Sequence, residues 1–359
     1  MKILIIQQKM IGDVLTSSML FAAIKAKHPL AELHYLINSH TFPVVDNNPF
    51  IDKIVFFTKE HESSKMALLK FANSVRQEHY DVVIDVYSKL SSNIISLFSG
   101  AKTKISYYKS YTSALYTHNI KRKSIATSTE GLAIEHRLQL LEPLDIHQTT
   151  ATPKIYLTEQ ERATSASFLE GSGIHLDQPL YMISVLGSGL NKTYPFAYMA
   201  EVIDTVIETT KGQILFNYIP NQVTEARAIY DLCKPENQPH IFFDVFAKDL
   251  RDFLAITSYC DALIGNEGGA INMAKALGIK TFAIFSPWID TETWGAMVDN
   301  KHANVHLKTY TPEVYAGKAD KEMKREALSL YKSFTPSFFI QKLKLFLEET
   351  LADRPKHNI

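Results

Sequence analysis

The chemistry this chain could perform is concentrated in three short stretches that each follow an apolar run and mix small residues with a charge. The first is Gln7-Gln8-Lys9-Met10-Ile11-Gly12-Asp13. A dinucleotide would need G-x-G-x-x-G here, so that its pyrophosphate could approach the backbone; only Gly12 is present, which argues against NAD or FAD. Asp13 stands where a helix N-cap belongs, and its carboxylate can cap Val14–Lys27. The same carboxylate can accept a proton from a bound hydroxyl, and both uses stay open. The second stretch is Gly187-Ser188-Gly189-Leu190-Asn191-Lys192-Thr193-Tyr194-Pro195. Gly187 and its small neighbours admit an anion to the backbone, Ser188 offers a hydroxyl and Lys192 a cation for phosphate. The third is Gly265-Asn266-Glu267-Gly268-Gly269-Ala270. Free amides opening a helix over Ala270–Leu277 would favour a phosphate by about 0.3–1 kcal/mol, and Gly268 and Gly269 leave no side chain in the way. Glu225, near the start of another helix, could take hydrogen bonds from ribose hydroxyls or serve only as a solvated first-turn acid.

Transition-metal chemistry has no such footing. Thirteen histidines form no H-E-x-x-H and the two cysteines, Cys233 and Cys260, no C-x-x-C. A Walker A loop and a G-x-S-x-G elbow are also missing. One charge pattern does stand out. Between Val86 and Thr129 there is no Asp or Glu, while Lys89, Lys102, Lys104, Lys109, Lys121, Arg122 and Lys123 fall there, interleaved with Tyr87, Tyr107, Tyr108, Tyr111 and Tyr116. In a chain with 38 basic and 38 acidic residues this is a local field, fit for an anionic acceptor or a membrane surface; the plain alternative is a solvated face.

The elements that must position these groups alternate from end to end. Strands are expected at Lys2–Gln7, Glu32–Ile37, Ile51–Phe57, Asp81–Tyr87 and Lys104–Tyr108, with a helix over Asp13–Lys27. After a polar stretch the pattern restarts, with strands at Tyr181–Leu186, Gln213–Ile219, Ile241–Asp244, Ala262–Asn266 and Thr281–Phe285. Helices are expected at Ala197–Thr209, Val223–Cys233, Leu250–Tyr259 and Ala270–Leu277. Apolar strands between helices indicate parallel sheets covered on both faces: an α/β fold of two doubly wound, Rossmann-like domains facing a central cleft. The expected domains are 1–165 and 166–335, with a last amphipathic helix within 336–359 that would cross back to the first. Zero net charge argues against a nucleic-acid partner. Two cysteines suit a reducing compartment. The apolar start breaks too early for a signal peptide, and no run nears the roughly 20 apolar residues of a membrane span.

Taken together, these motifs resemble glycosyltransferase family 9, the heptosyltransferases of lipopolysaccharide core assembly. Lys2-Ile3-Leu4-Ile5-Ile6 with Ile11-Gly12-Asp13 is similar to the family's N-terminal signature, and Asn48-Pro49-Phe50-Ile51-Asp52-Lys53-Ile54 to its N-P-x-I/V-D-x-I/V segment. Lys192-Thr193-Tyr194-Pro195 is similar to its K-x-W-P, and Gly265-Asn266-Glu267-Gly268-Gly269 to its G-N-D-T-G turn. The chain differs in having Tyr194 for Trp, Glu267 for Asp, Gly268 for Thr and Asn272 for His. The resemblance implies a GT-B architecture and an inverting, metal-independent sugar transfer from a nucleotide sugar, ADP-heptose, with no cofactor. Asp13 would be the base and Lys192 would support the leaving group. Gly187, Ser188, Lys192, Glu225, Glu267, Gly268, Gly269 and Asn272 would hold the donor. Gly12, Lys102, Lys104, Lys109, Lys121, Arg122 and Lys123 would face an anionic glycolipid acceptor of the lipopolysaccharide-core type. The implied location is cytoplasmic, with peripheral contact at the inner face of the inner membrane. A GT-B nucleotide-sugar epimerase or hydrolase, or a non-catalytic nucleotide-sugar-binding protein, are the alternatives.

Overall fold

The computed structural model describes residues 1–128, 131–148, 150–291 and 301–354, the side chain of Asp320 apart. The chain divides into two compact units, the first running Met1–Tyr156 and the second taking Leu157–Thr291 and the described residues beyond 300. The helix Glu159–Gly171 therefore lies wholly in the second unit, although it spans the expected boundary at 165.

In the first unit six parallel strands, β1 (Lys2–Ile6), β2 (Glu32–Asn38), β3 (Lys53–Phe57), β4 (Val82–Asp85), β5 (Thr103–Tyr107) and β6 (His118–Ile120), lie in the order β3-β2-β1-β4-β5-β6. Ile3, Leu4, Ile5 and Ile6 of β1 are fully buried because helices cover both faces of the sheet. The chain leaves β1 toward β2 and β3 on one side and fills β4, β5 and β6 on the other. The carboxyl ends of β1 and β4 thus flank the switch point, where open α/β sheets hold ligands.

The second unit repeats the plan with β7 (Leu180–Ser184), β8 (Gln213–Asn217), β9 (Ala262–Asn266), β10 (Lys280–Ile284) and β11 (His302–Val305), ordered β8-β7-β9-β10-β11 and all parallel. Its switch point lies between β7 and β9, the two strands that lead into the glycine-bearing stretches. There the strands approach closely. Gly265 has φ +127° and a Cβ at this position would lie 2.5 Å from the Ser184 carbonyl oxygen, so both the backbone angle and the space require glycine. Gly265→Ala is expected to cost roughly 2–4 kcal/mol through backbone strain and overpacking, read as a fall in thermal midpoint against wild type.

Several expected elements are corrected. The helix proposed for Asp13–Lys27 begins at Ile11 and is interrupted at Ser18, dividing into Ile11–Ser17 and Met19–Lys27. At the break the Ser18 hydroxyl donates to the Leu15 carbonyl at 2.7 Å, a local bond that competes with the helical ladder. Ile241–Asp244 is no strand: Ile241 makes one parallel bridge to Ile214, and Val245 N–H then closes a turn on Phe242. The short strands β6 and β11 and the helix Leu132–Gln139 were not expected at all. Tyr194, the counterpart of a family Trp, is a core residue, fully buried among Tyr198, Tyr331, Phe334 and Phe339. The last helix, Ile340–Ala352, inserts Leu343, Phe346 and Leu347 into that same core of the second unit. Residues 355–359 of the expected terminal segment lie outside the described residues.

Candidate functional site

At the carboxyl end of β1 the chain passes through Gln7 and buried Gln8 and enters the helix Ile11–Ser17. Asp13 is the third residue of that helix, not its cap. Its Oδ1 accepts from Arg137 Nη2 at 2.6 Å, while 30% of its side-chain area remains exposed, so one oxygen is fixed and the carboxylate still meets solvent. Arg137 is itself buried and held at two further points: Nε donates to Ser17 Oγ at 2.9 Å and Nη1 to the Ala133 carbonyl at 2.6 Å. A guanidinium whose donors are satisfied in a planar fork fixes the direction of its partner as well as its charge.

Around this pair the neighbouring strands contribute cations. At the end of β4, Asp85 is wholly buried, and burial pushes its carboxyl up against the opposing bonds from Tyr116 Oη at 2.6 Å and Ser88 N–H at 2.7 Å. After β5, Lys109 Nζ donates to the Ser88 carbonyl; burial, with Lys89 and Arg122 nearby, holds its ammonium below the usual lysine range. After β6, the Arg122 guanidinium lies 3.9 Å from the centre of the Tyr107 ring. Tyr107 is buried, which raises its phenol pKa, while Arg137 and Arg122 draw it down. Asp13, Arg137, Lys109 and Arg122 thus converge at the carboxyl ends of adjacent strands. Gly12 lies in the same first turn as Asp13 and its carbonyl accepts from Thr16 Oγ1.

The remaining expected acceptor residues divide. Lys102 and Lys104 are corrected: they stand at the amino end of β5 (Thr103–Tyr107), separated from Lys109 by roughly 15–25 Å of extended chain and on the wrong edge to join Asp13. Lys121 lies over the Tyr108 ring at 5.5 Å. Lys123 reaches Thr127 Oγ1 at 3.2 Å and the Glu135 carboxylate at 3.5 Å, so its charge is already met. Burial would raise the Glu135 carboxyl, but the hydroxyls and amides of Ser128 and Thr127 hold it down at about 2. A depressed carboxyl pKa stabilises the fold above its ordinary titration and loses that contribution as pH falls toward the folded value. Wild type should therefore lose stability between about pH 5 and pH 2 faster than Glu135→Gln, by urea midpoints across that range. Arg137 and Glu135 sit on one helix, Leu132–Gln139, which sequence reasoning missed. Its signal was two charges, Glu135 and Arg137, inside the apolar run Leu132–Leu141, where an unpaired charge would be costly.

In the second unit the stretch after β7 is pinned and the stretch after β9 is open. Asn266 organises both: its Oδ1 accepts from Tyr194 N–H at 2.7 Å and its Nδ2 donates to the Ser184 carbonyl at 2.9 Å. Gly187 N–H reaches Thr193 Oγ1 and its carbonyl takes Gln222 Nε2 at 3.1 Å. A Cβ at Gly187 would lie 2.1 Å from the Lys192 carbonyl oxygen, so this glycine is required by the fold of the loop itself. Ser188 is exposed, and Lys192 is half-buried with Nζ 5.5 Å from the Trp288 ring centre. Across β9, nothing lies within 4 Å of a Cβ at Gly268, only the Met273 methyl approaches one at Gly269, and Gly269 is exposed at the start of the eight-residue helix Gly269–Ala276. The first amides of that helix have no partners within it and carry the positive end of its dipole. Asn272 occupies its first turn, half-buried.

Glu267 sits at the root of this turn. Burial raises its carboxyl, with Lys192 and Lys275 drawing it back, and Oε2 has no hydrogen-bond partner among the described residues. Glu225 is exposed in the first turn of Val223–Leu232, after the edge strand β8. Among the described residues, no group of three or more His, Cys, Asp or Glu is placed to hold a metal ion, and no helix is long and apolar enough to cross a membrane.

The sequence model of glycosyltransferase family 9 (heptosyltransferase) matches residues 68–324. The chain is 20% identical over 299 residues to a lipopolysaccharide heptosyltransferase 1 of Campylobacter coli, covering 79% of this chain and 84% of that protein. Among solved structures it is similar to a glycosyltransferase family 9 protein of Veillonella parvula, with a TM-score of 0.77 at 17% identity over 97% of each chain. It is also similar to the ADP-heptose lipopolysaccharide heptosyltransferase II of Escherichia coli, with a TM-score of 0.72 at 16% identity over 97% of this chain and 99% of that one. These likenesses show the GT-B fold.

Proposed function

The chain belongs to glycosyltransferase family 9 and is a glycosyltransferase; from that premise we propose that it moves a heptose from ADP-heptose to a hydroxyl of an anionic, lipopolysaccharide-core-type acceptor, with inversion and without a metal ion or cofactor. The observation that carries this reading is Asp13, partly exposed at the switch point of the first sheet with Oδ1 fixed on Arg137 and cations around it. The names of the heptosyltransferases it resembles support the choice of sugar and nucleotide.

In the proposed step an acceptor hydroxyl attacks the anomeric carbon from the face opposite the diphosphate. The new carbon–oxygen bond forms as the bond to the diphosphate breaks, and that electron pair leaves on the diphosphate. A hydroxyl is a poor nucleophile, so its proton passes to Asp13 Oδ2 as the bond forms. A diphosphate needs no proton to leave, but it gains charge, which Lys192, the Ser188 hydroxyl and the amides at Gly268 and Gly269 would stabilise. Glu225, Glu267 and Asn272 are assigned to the donor's ribose and sugar hydroxyls. On the acceptor side, Lys109 and Arg122, with Lys121 beside them, would meet the anionic groups.

Stabilisation of the purified protein by nucleotides tests the donor. ADP and ADP-heptose should raise the thermal midpoint above UDP, GDP and dTDP compounds. Transfer to a core-type acceptor should continue in excess chelator, with the anomeric configuration of the product inverted. A preference for UDP sugars would remove ADP-heptose from the reading, and loss of activity in chelator would remove metal independence.

A further inference from the structure

The first sheet ends on one side at β3, and that edge is open. Gln7 N–H donates to the Leu36 carbonyl and Glu32 N–H to the Met1 carbonyl, so the even-numbered residues of β2 turn their backbone groups toward β1. By alternation Leu33, Tyr35 and Ile37 face β3, where the register sets Tyr35 opposite Ile54 and Ile37 opposite Phe56. A residue in a parallel ladder bonds to the two neighbours of the residue opposite it, so Lys53, Val55 and Phe57 face inward. The N–H and C=O groups of Ile54 and Phe56 point away from the sheet, and among the described residues they have no hydrogen-bond partner.

The other edges are covered or short. Ile241 bridges Ile214 on the outside of β8, with Phe242 N–H donating to the Ile214 carbonyl at 2.9 Å. On the outside of β11, Lys342 Nζ donates to the Asn304 carbonyl at 2.9 Å. β6 is three residues long. Proteins commonly guard a free edge with proline, a bulge or several charges. β3 reads Lys-Ile-Val-Phe-Phe, without proline, and its one charge is met by Glu78 at 2.6 Å. Phe56 is 41% exposed, its ring edge-on to Phe42 at 5.5 Å, and Ile54 and Val55 are half-buried.

We propose that a second copy of this chain pairs with β3, antiparallel, about a two-fold axis at Val55. In that register Ile54 and Phe56 of one copy lie opposite Phe56 and Ile54 of the other, as hydrogen-bonded pairs that satisfy every open N–H and C=O of both residues. The side chains are self-complementary as well. Each Phe56 meets the Ile54 of the other copy on one face, an aromatic and β-branched pair of the kind that stabilises sheets, and the two Val55 meet on the other face. Charge agrees with this register, since Lys53 falls opposite Phe57 of the copy and no like charges are opposed. The contact is isologous and uses the one edge, among the described residues, that is both open and long enough to pair, so it closes at two copies. Antiparallel pairing also directs the carboxyl ends of the two sheets oppositely, leaving each Asp13 clear of the contact. The proposal goes beyond the sugar transfer and does not rest on Asp13 or on the donor.

The test is sedimentation velocity of the full chain over a wide range of concentration, which should show a monomer–dimer equilibrium and no larger species. Phe56→Pro removes an outward N–H without touching the ladder to β2, and Phe56→Lys sets a charge on the edge. Each should weaken the dimer by about tenfold or more. Val55→Cys should form a disulfide-linked dimer on mild oxidation, because paired residues on the axis lie within disulfide reach, whereas Lys53→Cys should not. Melts of dilute Phe56→Lys and Val55→Cys should match wild type, so their readings hold even where the proline is not tolerated. A wild type that stays monomeric at every concentration would overturn the proposal. So would a dimer that Phe56→Lys leaves intact, one that Val55→Cys does not cross-link, or open-ended assembly.

Discussion

Asp13→Asn is expected to lower turnover by about 10²–10⁴, the scale of a lost general base, while leaving the affinity for donor nucleotide nearly unchanged. The amide is isosteric and can still accept from Arg137, so the ion pair becomes a hydrogen bond and the helix Ile11–Ser17 keeps its place. What disappears is the charge that takes the hydroxyl proton. Steady-state turnover with saturating donor and acceptor, alongside calorimetric titration with ADP, separates the two effects. Wild-type turnover in the variant would leave Asp13 as a structural partner of Arg137 and no more. Arg137→Lys is the companion measurement. A lysine keeps a positive charge but cannot donate at once to Asp13, Ser17 and Ala133, as Arg137 does. Turnover should fall by roughly 10–10²-fold from the misdirected carboxylate, with the KM for donor unmoved.

Lys192→Ala should act on the other substrate. A hydrogen bond to a charged group contributes about 1.5–3 kcal/mol, so the loss should weaken ADP binding by roughly 10- to 100-fold. The Lys192 side chain is half-buried, resting near the Trp288 ring and the Glu267 carboxyl rather than within the aromatic core around Tyr194. Folding should therefore be spared, and the melting curve of the free variant should stay near wild type. Unchanged ADP affinity would take Lys192 out of the donor site. The same titration with Ser188→Ala should give a smaller loss, since a neutral hydroxyl contributes about half as much as a charged donor.

Much of this protein is decided by local sequence. Apolar runs such as Ile3–Ile6, Leu180–Ser184 and Ala262–Asn266 must be interior strands, because they have no polar face to turn to water, and their alternation with amphipathic helices leaves few arrangements but parallel sheets. The stretches at 12–13, 187–192 and 265–269 were likewise legible, because each breaks an apolar run with small and charged residues where a parallel strand ends. Local sequence was less able to set ends and interruptions. The bend at Ser18 and the single bridge at Ile241 depend on hydrogen bonds to partners that no short window contains.

Only the tertiary structure decided which charges act together. Arg137 lies 124 residues from Asp13 and meets it because the helices Ile11–Ser17 and Leu132–Gln139 converge. Nothing in the spacing of either residue carries that contact. Lys102 and Lys109, seven positions apart in one basic run, were parted by a strand whose length exceeds the reach of their side chains. Gly187, read as a clearance for a ligand, is demanded first by the Lys192 carbonyl of the protein itself. Periodicity in a sequence specifies which residues are buried, since burial follows from each residue's own affinity for water. Pairing among polar groups depends on distances across the fold, and those exist only after the strands have been ordered.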